Sequence, residues 1–337
     1  MIRYSFVSAC IMQGVFMLCL AYSGCNYIAA IIFLSAAVAV NGAVATGPLA
    51  SLVDVSPNYA SIGMGMCNTV VALVGVFIPT VVSYFTYGNT NLNDDSIIQV
   101  KQKFEGFEWN EVHQGVIIGA YFWFHWLTQI PGGILAQKYG TKLVFGAANF
   151  AGVVFCFFIP AASYLGYEWL VFIRAVQGLL TGFSWPAMHH MAAKWVPPNE
   201  RSSFVSSYLG SSIGAALTYP MCGWIIDEWG WEWVFYTNGI LGTLWYIWWL
   251  LCVFDSPEQH PRISDTEKEY IISRLEQQSK PRKKAPVPWK DILTALPIWM
   301  NILAQWGGIW GFFTLMNHAP QYFKLVHGWD IKAVSMI

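Results

Sequence analysis

One apolar stretch holds a charge where water would normally have to accommodate it. Between Trp169 and Ala192 the chain is rich in Leu, Val, Phe, Ala and Gly, and Arg174 sits inside that run. At about 1.5 Å per residue the arginine lies roughly 9 Å along a helix. A cation at that depth in lipid costs at least about 2 kcal/mol, so it is expected to face a protein interior or a water-filled path. The alternative is an arginine snorkelling to the headgroups. Gly178 and Gly182 follow at i+4 and i+8, two side-chain-free positions on the same helix face that admit a neighbouring backbone or a solute. His125, in the run YFWFHWLTQIPGG, is a second group of interest. An imidazole in an apolar span can titrate near neutral pH and carry a proton, and it can equally be a satisfied structural histidine. His189 and His190 lie near the end of the Arg174 run, where solvation is the expected state.

The composition sets the class of protein that must position these groups. Of 337 residues, 55% are hydrophobic, 17% aromatic and 11% charged. A soluble domain carries about 25% charge, so an integral membrane protein is expected. The net charge of −1 points to no nucleic-acid partner. The seven cysteines fall mostly in apolar runs and at no metal-ligand or secreted-framework spacing, so they read as packing residues. No stretch holds a nucleophile, base and acid together, and an enzyme is not expected.

The chain alternates short polar loops with roughly nine apolar runs near the ~20-residue spanning length. They cover Ser5–Tyr22, Tyr27–Pro48, Ile62–Phe85, Gln114–Ala136, Leu143–Ser163, Trp169–Ala192, Phe204–Ile226, Trp233–Phe254 and Pro297–Met316, and only the sixth contains a charged residue. If the N-terminus is cytoplasmic, thirteen Lys and Arg fall on the inner side and four on the outer, a positive-inside bias. The stretch Asp227–Glu232 is acidic and aromatic, as an outer interface anchor would be. The longest polar interval, Asp255–Leu296, reads as a cytoplasmic linker. Within it Ser264 precedes Glu267 by three residues, a capping box that predicts a short amphipathic helix over Glu267–Gln277. The basic Arg282-Lys283-Lys284 run would suit anionic lipid.

The run Gly133-Ile134-Leu135-Ala136-Gln137-Lys138-Tyr139-Gly140-Thr141-Lys142 resembles the loop between helices two and three of the major facilitator transporters. That loop carries Gly, an Asp four residues on, a basic residue, a second Gly and further basic residues; here Gln137 stands for the Asp. So tight a loop needs Gly140 for its turn, while Lys138 and Lys142 can meet helix C-termini and lipid phosphates. Arg174 with Gln177-Gly178, then Trp185-Pro186-Ala187-Met188-His189, then Lys194 to Ser202 with Glu200 and Arg201, is similar to the fourth helix and following loop of one branch, the anion:cation symporters of solute carrier family 17. Gly230–Tyr236 and Asp255-Ser256-Pro257 resemble that branch's sixth helix and exit. Phe107 to the C-terminus thus corresponds to helices two to seven.

Residues 1–88 resemble a different part of the same family. Val53–Ala60, followed by Gly65, Asn68, Gly75 and Pro79, looks like the loop and helix placed eleventh of twelve, so the order is back to front. The tail of one copy joined to the front of a neighbour, or a single divergent protein, would produce it. The expected fold is therefore an all-α polytopic bundle of the major facilitator type, incomplete relative to twelve helices. Its expected divisions are a second-bundle-like segment over 1–95, a first-bundle-like segment over 96–254, the linker 255–296 and the start of the second bundle over 297–337.

The resemblance implies a secondary transporter working by alternating access, with a small anion, a coupling cation (sodium or a proton) and membrane lipid as its partners, and with no cofactor. Arg174 would be the anion's counter-charge, its guanidinium fork suited to carboxylate or phosphate oxygens, with Gly178, Thr181 and Gly182 beside it. His125 and Thr128 would be the coupling-ion candidates. Glutamate carriers and sialin have a Glu where this chain has Thr181, and glutamate carriers an Arg in the seventh helix where it reads Trp306–Gly311. Those departures lean toward a sodium-linked phosphate or anion symporter, with a proton-coupled organic-anion carrier or a non-transporting fragment as alternatives. A plasma or vesicle membrane would hold it.

Overall fold

The computed structural model describes residues 2–23, 26, 28–37, 40, 60–87, 107, 109–200, 204, 209–278, 289–296, 298–303 and 305–311. All regular structure among them is helical. In chain order the helices are α1 (Ile2–Tyr22), α2 (Ile28–Ala37), α3 (Ala60–Tyr87), α4 (Glu111–Trp123), α5 (His125–Tyr139), α6 (Thr141–Leu165), α7 (Tyr167–Thr181), α8 (Ser184–Trp195), α9 (Leu209–Trp229), α10 (Glu232–Cys252), α11 (Asp265–Gln278) and α12 (Trp289–Thr294). Residues 298–303 and 305–311 are also helical. Arg201, Ser202, residues 53–59 and the basic run at 282–284 lie outside the described residues.

Two of the expected spans are each broken into two helices. The Gln114–Ala136 run leaves the helix at Phe124 (φ −115°, ψ −3°), separating α4 from α5. The Trp169–Ala192 run breaks after Thr181, separating α7 from α8. The second break has a cause in the sequence. Pro186 lacks the N–H that would bond the carbonyl four residues back, and its ring would clash with that carbonyl, which belongs to Gly182.

At the other end of α5 the chain turns at Gly140, whose φ of 89° excludes most side chains. Its N–H closes α5 on the Ala136 carbonyl at 3.0 Å. Asp255, from far along the sequence, completes this turn. Its Oδ1 accepts the Lys142 N–H at 2.7 Å, satisfying an orphan donor in the first turn of α6. Its Oδ2 lies where a Cβ on Gly140 would have to go. Trp249 donates its indole N–H to the Lys142 carbonyl at 3.0 Å, and the Lys142 ammonium sits 4.7 Å over the Phe254 ring. Lys138 is exposed in the last turn of α5, its ammonium 5.1 Å over Tyr139, where a cation favours the helix C-terminus.

α3 packs along α4 and α5, with contacts to α8 as well. The approach is backbone to backbone: a Cβ on Gly65 would come 2.8 Å from the Gln129 carbonyl, and one on Gly133 would come 2.7 Å from that of Ser61. Gln137, which stands where the family carries an acid, donates to the Ser61 hydroxyl at 3.0 Å. α3 also contributes Met64, Met66 and Cys67 to a buried cluster with Ile298 and Ile302, against which Ile130 of α5 packs. α6 packs on α7 and α10. The outer surfaces of α9 and α10 are apolar, with Leu217 70% and Leu251 71% exposed, the reverse of a surface built for water. Ser61–Pro79 and Thr141–Leu165 are long and apolar enough to cross a membrane.

The linker helix forms where the capping box placed it, as α11 over Asp265–Gln278, and Ser264 Oγ accepts the Glu267 N–H at 3.2 Å. Glu200, in the short turn Pro198–Glu200, accepts a hydrogen bond from Tyr270 Oη at 3.1 Å and ties α11 to the preceding loop.

Candidate functional site

Arg174 lies two turns into α7, partly buried. Its Nη1 donates to Gln177 Oε1 at 3.0 Å, and its guanidinium lies 5.3 Å from the centre of the Tyr121 ring, a cation–π geometry. No acidic partner to it is found among the described residues. The groups that hold it are themselves anchored. Gln177 Nε2 donates to the Gly152 carbonyl at 2.9 Å, locking the amide so that Oε1 faces the arginine. Tyr121 Oη and Thr181 Oγ1 are 2.6 Å apart, and Thr181 Oγ1 donates to the Gln177 carbonyl at 2.9 Å.

One side of Arg174 borders a cavity of about 450 Å³ at the end of the bundle marked by the Gly166 turn. Its walls are the aromatic Phe107, Trp109, Trp231 and Phe235 with the aliphatic Ile117, Ile159 and Leu170, and its polar members are Arg174 and Ser163. Phe107 stacks on Trp109 at 4.5 Å and meets Trp231 edge-on at 5.6 Å. Tyr164 donates to Glu232 beside this mouth and tilts against Phe107 at 5.6 Å.

One and two turns beyond Arg174 on the same face, the chain crosses α4 and α5 backbone to backbone. A Cβ at Gly178 would overlap the Tyr121 carbonyl, and one at Gly182 would overlap Thr128 Oγ1 and crowd the His125 carbonyl at 2.5 Å. The two broken helices therefore cross near their breaks, where a Cβ on Gly132 of α5 would come 2.8 Å from the Phe183 backbone. At both positions the neighbour that the glycine admits is backbone and side chain of α4 and α5.

A broken helix exposes its last carbonyls, and this crossing satisfies them. Thr128 Oγ1 donates to the Leu179 carbonyl at 2.9 Å and Ser184 Oγ to that of Thr181 at 2.7 Å. His125 Nδ1 lies 3.0 Å from the Gly178 carbonyl, which can only accept, so that nitrogen carries the proton. Its Nε2 accepts from the Gln129 amide at 2.8 Å. The neutral ring thus has both nitrogens engaged. His189 is buried rather than solvated, because α8 packs into α3, α5 and α6; its ring nitrogen donates to the Trp185 carbonyl at 3.1 Å. His190 is also largely enclosed, its Nε2 buried.

Of the sequence-derived site residues, the structure brings Arg174 and Thr181 together around Gln177 and Tyr121. It places Gly178, Gly182, His125 and Thr128 at the crossing. Gly140 and Lys142 meet Asp255 at the opposite end of α6, with Lys138 in the preceding helical turn, Gly133 packs on Ser61 of α3, and Glu200 bonds Tyr270 of α11. Sequence reasoning gave no role to Tyr121, Gln177 or Asp255. The Trp185-Pro186 pair, four residues past Gly182, was a signal for the break in α7–α8.

Apolar helices, a partly buried arginine within one of them and outward apolar faces define a polytopic helical membrane protein. The chain belongs to the Major Facilitator Superfamily, whose family model matches residues 96–337. It is 35% identical over 281 residues to vesicular glutamate transporter 3 of Danio rerio, covering 82% of this chain and 46% of that protein. It is 40% identical over 227 residues to sialin of Ovis aries and 39% identical over 227 residues to sialin of Homo sapiens, in each case 67% of this chain and 46% of the relative. These relatives are of the solute carrier family 17 branch that the motifs resemble. The chain spans just under half the length of these curated relatives. Membership in a family of transporters sets the enzyme reading aside.

Proposed function

We propose that this chain forms a secondary active carrier of small anions, or the anion-binding part of one, with Arg174 as the anion's counter-charge. The observation that carries the reading is a partly buried arginine without an acidic partner among the described residues, lining a cavity of about 450 Å³. In a spanning segment such a cation is a functional group by default, because nothing else justifies its desolvation. Movement of the bundles against each other would expose the site to each side in turn. In this reading 1–95 and 297–337 belong to the second bundle, 96–254 to the first and 255–296 to a cytoplasmic linker.

Thr181 in place of an acid, and Trp306–Gly311 without an arginine, favour sodium-linked symport of phosphate or another anion. Hydroxyls such as that of Thr128 are the expected sodium ligands. A second reading, proton-coupled carriage of an organic anion in a vesicle or lysosome, is favoured by the relatives' names, which point to glutamate and sialic acid. The positive-inside bias supports a cytoplasmic N-terminus. The test is uptake of labelled phosphate and glutamate into proteoliposomes under an imposed sodium or pH gradient. Uptake is expected to fall at least about tenfold in Arg174→Ala, a loss of roughly 1.4 kcal/mol or more of transition-state binding. Equal uptake in the variant would remove Arg174 from the site, and no uptake by folded wild-type protein would favour a non-transporting fragment.

A further inference from the structure

The cavity of about 450 Å³ at the Gly166 end differs from a site for a carried solute in where its walls come from. A carried solute must lie between bodies that move against each other, so that each side of the membrane reaches it in turn. All nine lining residues fall between Phe107 and Phe235, within the segment read as the first bundle. They come from α4, α6, α7, α10 and the turns that precede α4 and α10. A molecule held there travels with that one bundle, so it is a bound ligand and not cargo.

The polar groups of the lining suit a neutral occupant. Arg174 donates to Gln177 and lies over Tyr121, and neither of those residues lines the cavity, so its charged end has its partners outside the lining. Ser163 is the one hydroxyl in the lining, and it already donates to the Ile159 carbonyl at 2.9 Å. The indole N–H groups of Trp109 and Trp231 make no hydrogen bond among the described residues, which leaves two uncharged donors for an acceptor atom. A carboxylate set among Ile117, Ile159 and Phe235 would lose its hydration with no counter-charge, a position that apolar walls penalise heavily.

The walls also have a shape. Trp231 presents its edge to Phe107 at 78° and to Phe235 at 81°, while Phe107 lies flat on Trp109. An aryl ring entering among them extends the same edge-to-face packing. The volume falls within the usual range of about 300–1,000 Å³ for pockets that enclose small organic ligands, and apolar walls with a few polar groups are their common form.

We propose that this cavity is a binding site for a neutral, ring-bearing molecule with one hydrogen-bond acceptor, held by the first bundle and not transported. Its rings lie among Phe107, Trp231 and Phe235, and its acceptor takes an indole N–H from Trp109 or Trp231. The inference goes beyond the anion reading and stands whether or not Arg174 binds an anion.

Photolabelling of the full chain in lipid nanodiscs tests it, with the modified peptides mapped by mass spectrometry. The probes are benzophenone, a neutral diaryl ketone, and 4-benzoylbenzoate, the same body with a carboxylate. Benzophenone is expected to label peptides bearing Ile117, Ile159 or Leu170, half-saturating at a concentration at least about tenfold below that of 4-benzoylbenzoate. Excess phenyl benzoate, a neutral two-ring ester, should displace that label. Leu170→Trp fills the cavity and should abolish the cavity label, while label on the exposed Leu217 and Leu251 persists. A label confined to such exposed residues, one that phenyl benzoate does not displace, or one kept at full strength in folded Leu170→Trp would overturn the proposal. Equal or better cavity labelling by 4-benzoylbenzoate would overturn it too and return the cavity to the anion. If Leu170→Trp fails to fold, the wild-type ratio of the two probes decides.

Discussion

One face of α7 follows two opposite rules within two turns of helix. At Gly178 and Gly182, against α4 and α5, His125, Thr128 and Ser184 supply the donors that the broken helix needs, and Gln129 Oε1 is the polar atom left without a partner beside them among the described residues. Toward the Gly166 end, Arg174 faces aromatic walls with one neutral amide and one ring for company. The crossing uses its polar residues on backbone satisfaction, and His125 has both ring nitrogens engaged in it. Arg174 keeps donors beyond the one given to Gln177, which is why the proposed function rests on it. Chemical type alone would have ranked His125 beside Arg174; the partners separate them.

The largest effect is expected at the crossing itself. Gly178→Val puts a branched side chain into the Tyr121 carbonyl, and overpacking of this kind costs about 3 kcal/mol or more where backbone cannot move. Loss of the monodisperse peak in fluorescence-detected size exclusion is the expected readout, and a normal peak would mean that the two broken helices do not meet there. His125→Leu comes next. It strands the Gln129 amide and should cost roughly 1–3 kcal/mol, read as a lower unfolding temperature. Asp255→Ala frees the Lys142 N–H at the start of α6 and should cost about 1 kcal/mol by the same measurement. Tyr270→Phe removes only an exposed bond to Glu200 and should change stability by less than about 0.5 kcal/mol. If Tyr270→Phe destabilised more than Asp255→Ala, the linker helix would matter more than the Gly140 turn.

The position of Arg174 was readable because an isolated charge in an apolar run has no ordinary explanation. The capping box at Ser264 was readable for a local reason too: three residues of spacing suffice to name donor and acceptor. What escaped was non-local. Asp255 was visible as part of Asp-Ser-Pro, yet its role depends on a hydrogen bond to Lys142, 113 residues away. The break between α7 and α8 had its proline in plain view, whereas the break at Phe124 has none, and hydropathy reads straight through both. Trp231 looked like an interface anchor and is also a cavity wall, because its packing on Phe235 and Phe107 is set by how α10 docks on α6.

The most direct test sets Arg174 and the crossing side by side. Uptake of a labelled anion per folded molecule, and the unfolding temperature, would be measured together for Arg174→Gln and His125→Leu in proteoliposomes. The contrast predicts that Arg174→Gln loses uptake about tenfold or more while its unfolding temperature stays within about 3 °C of wild type. It predicts that His125→Leu keeps its uptake and unfolds at a lower temperature. Uptake that survives in Arg174→Gln and vanishes in a well-folded His125→Leu would contradict the account, moving the site from the cavity to the crossing.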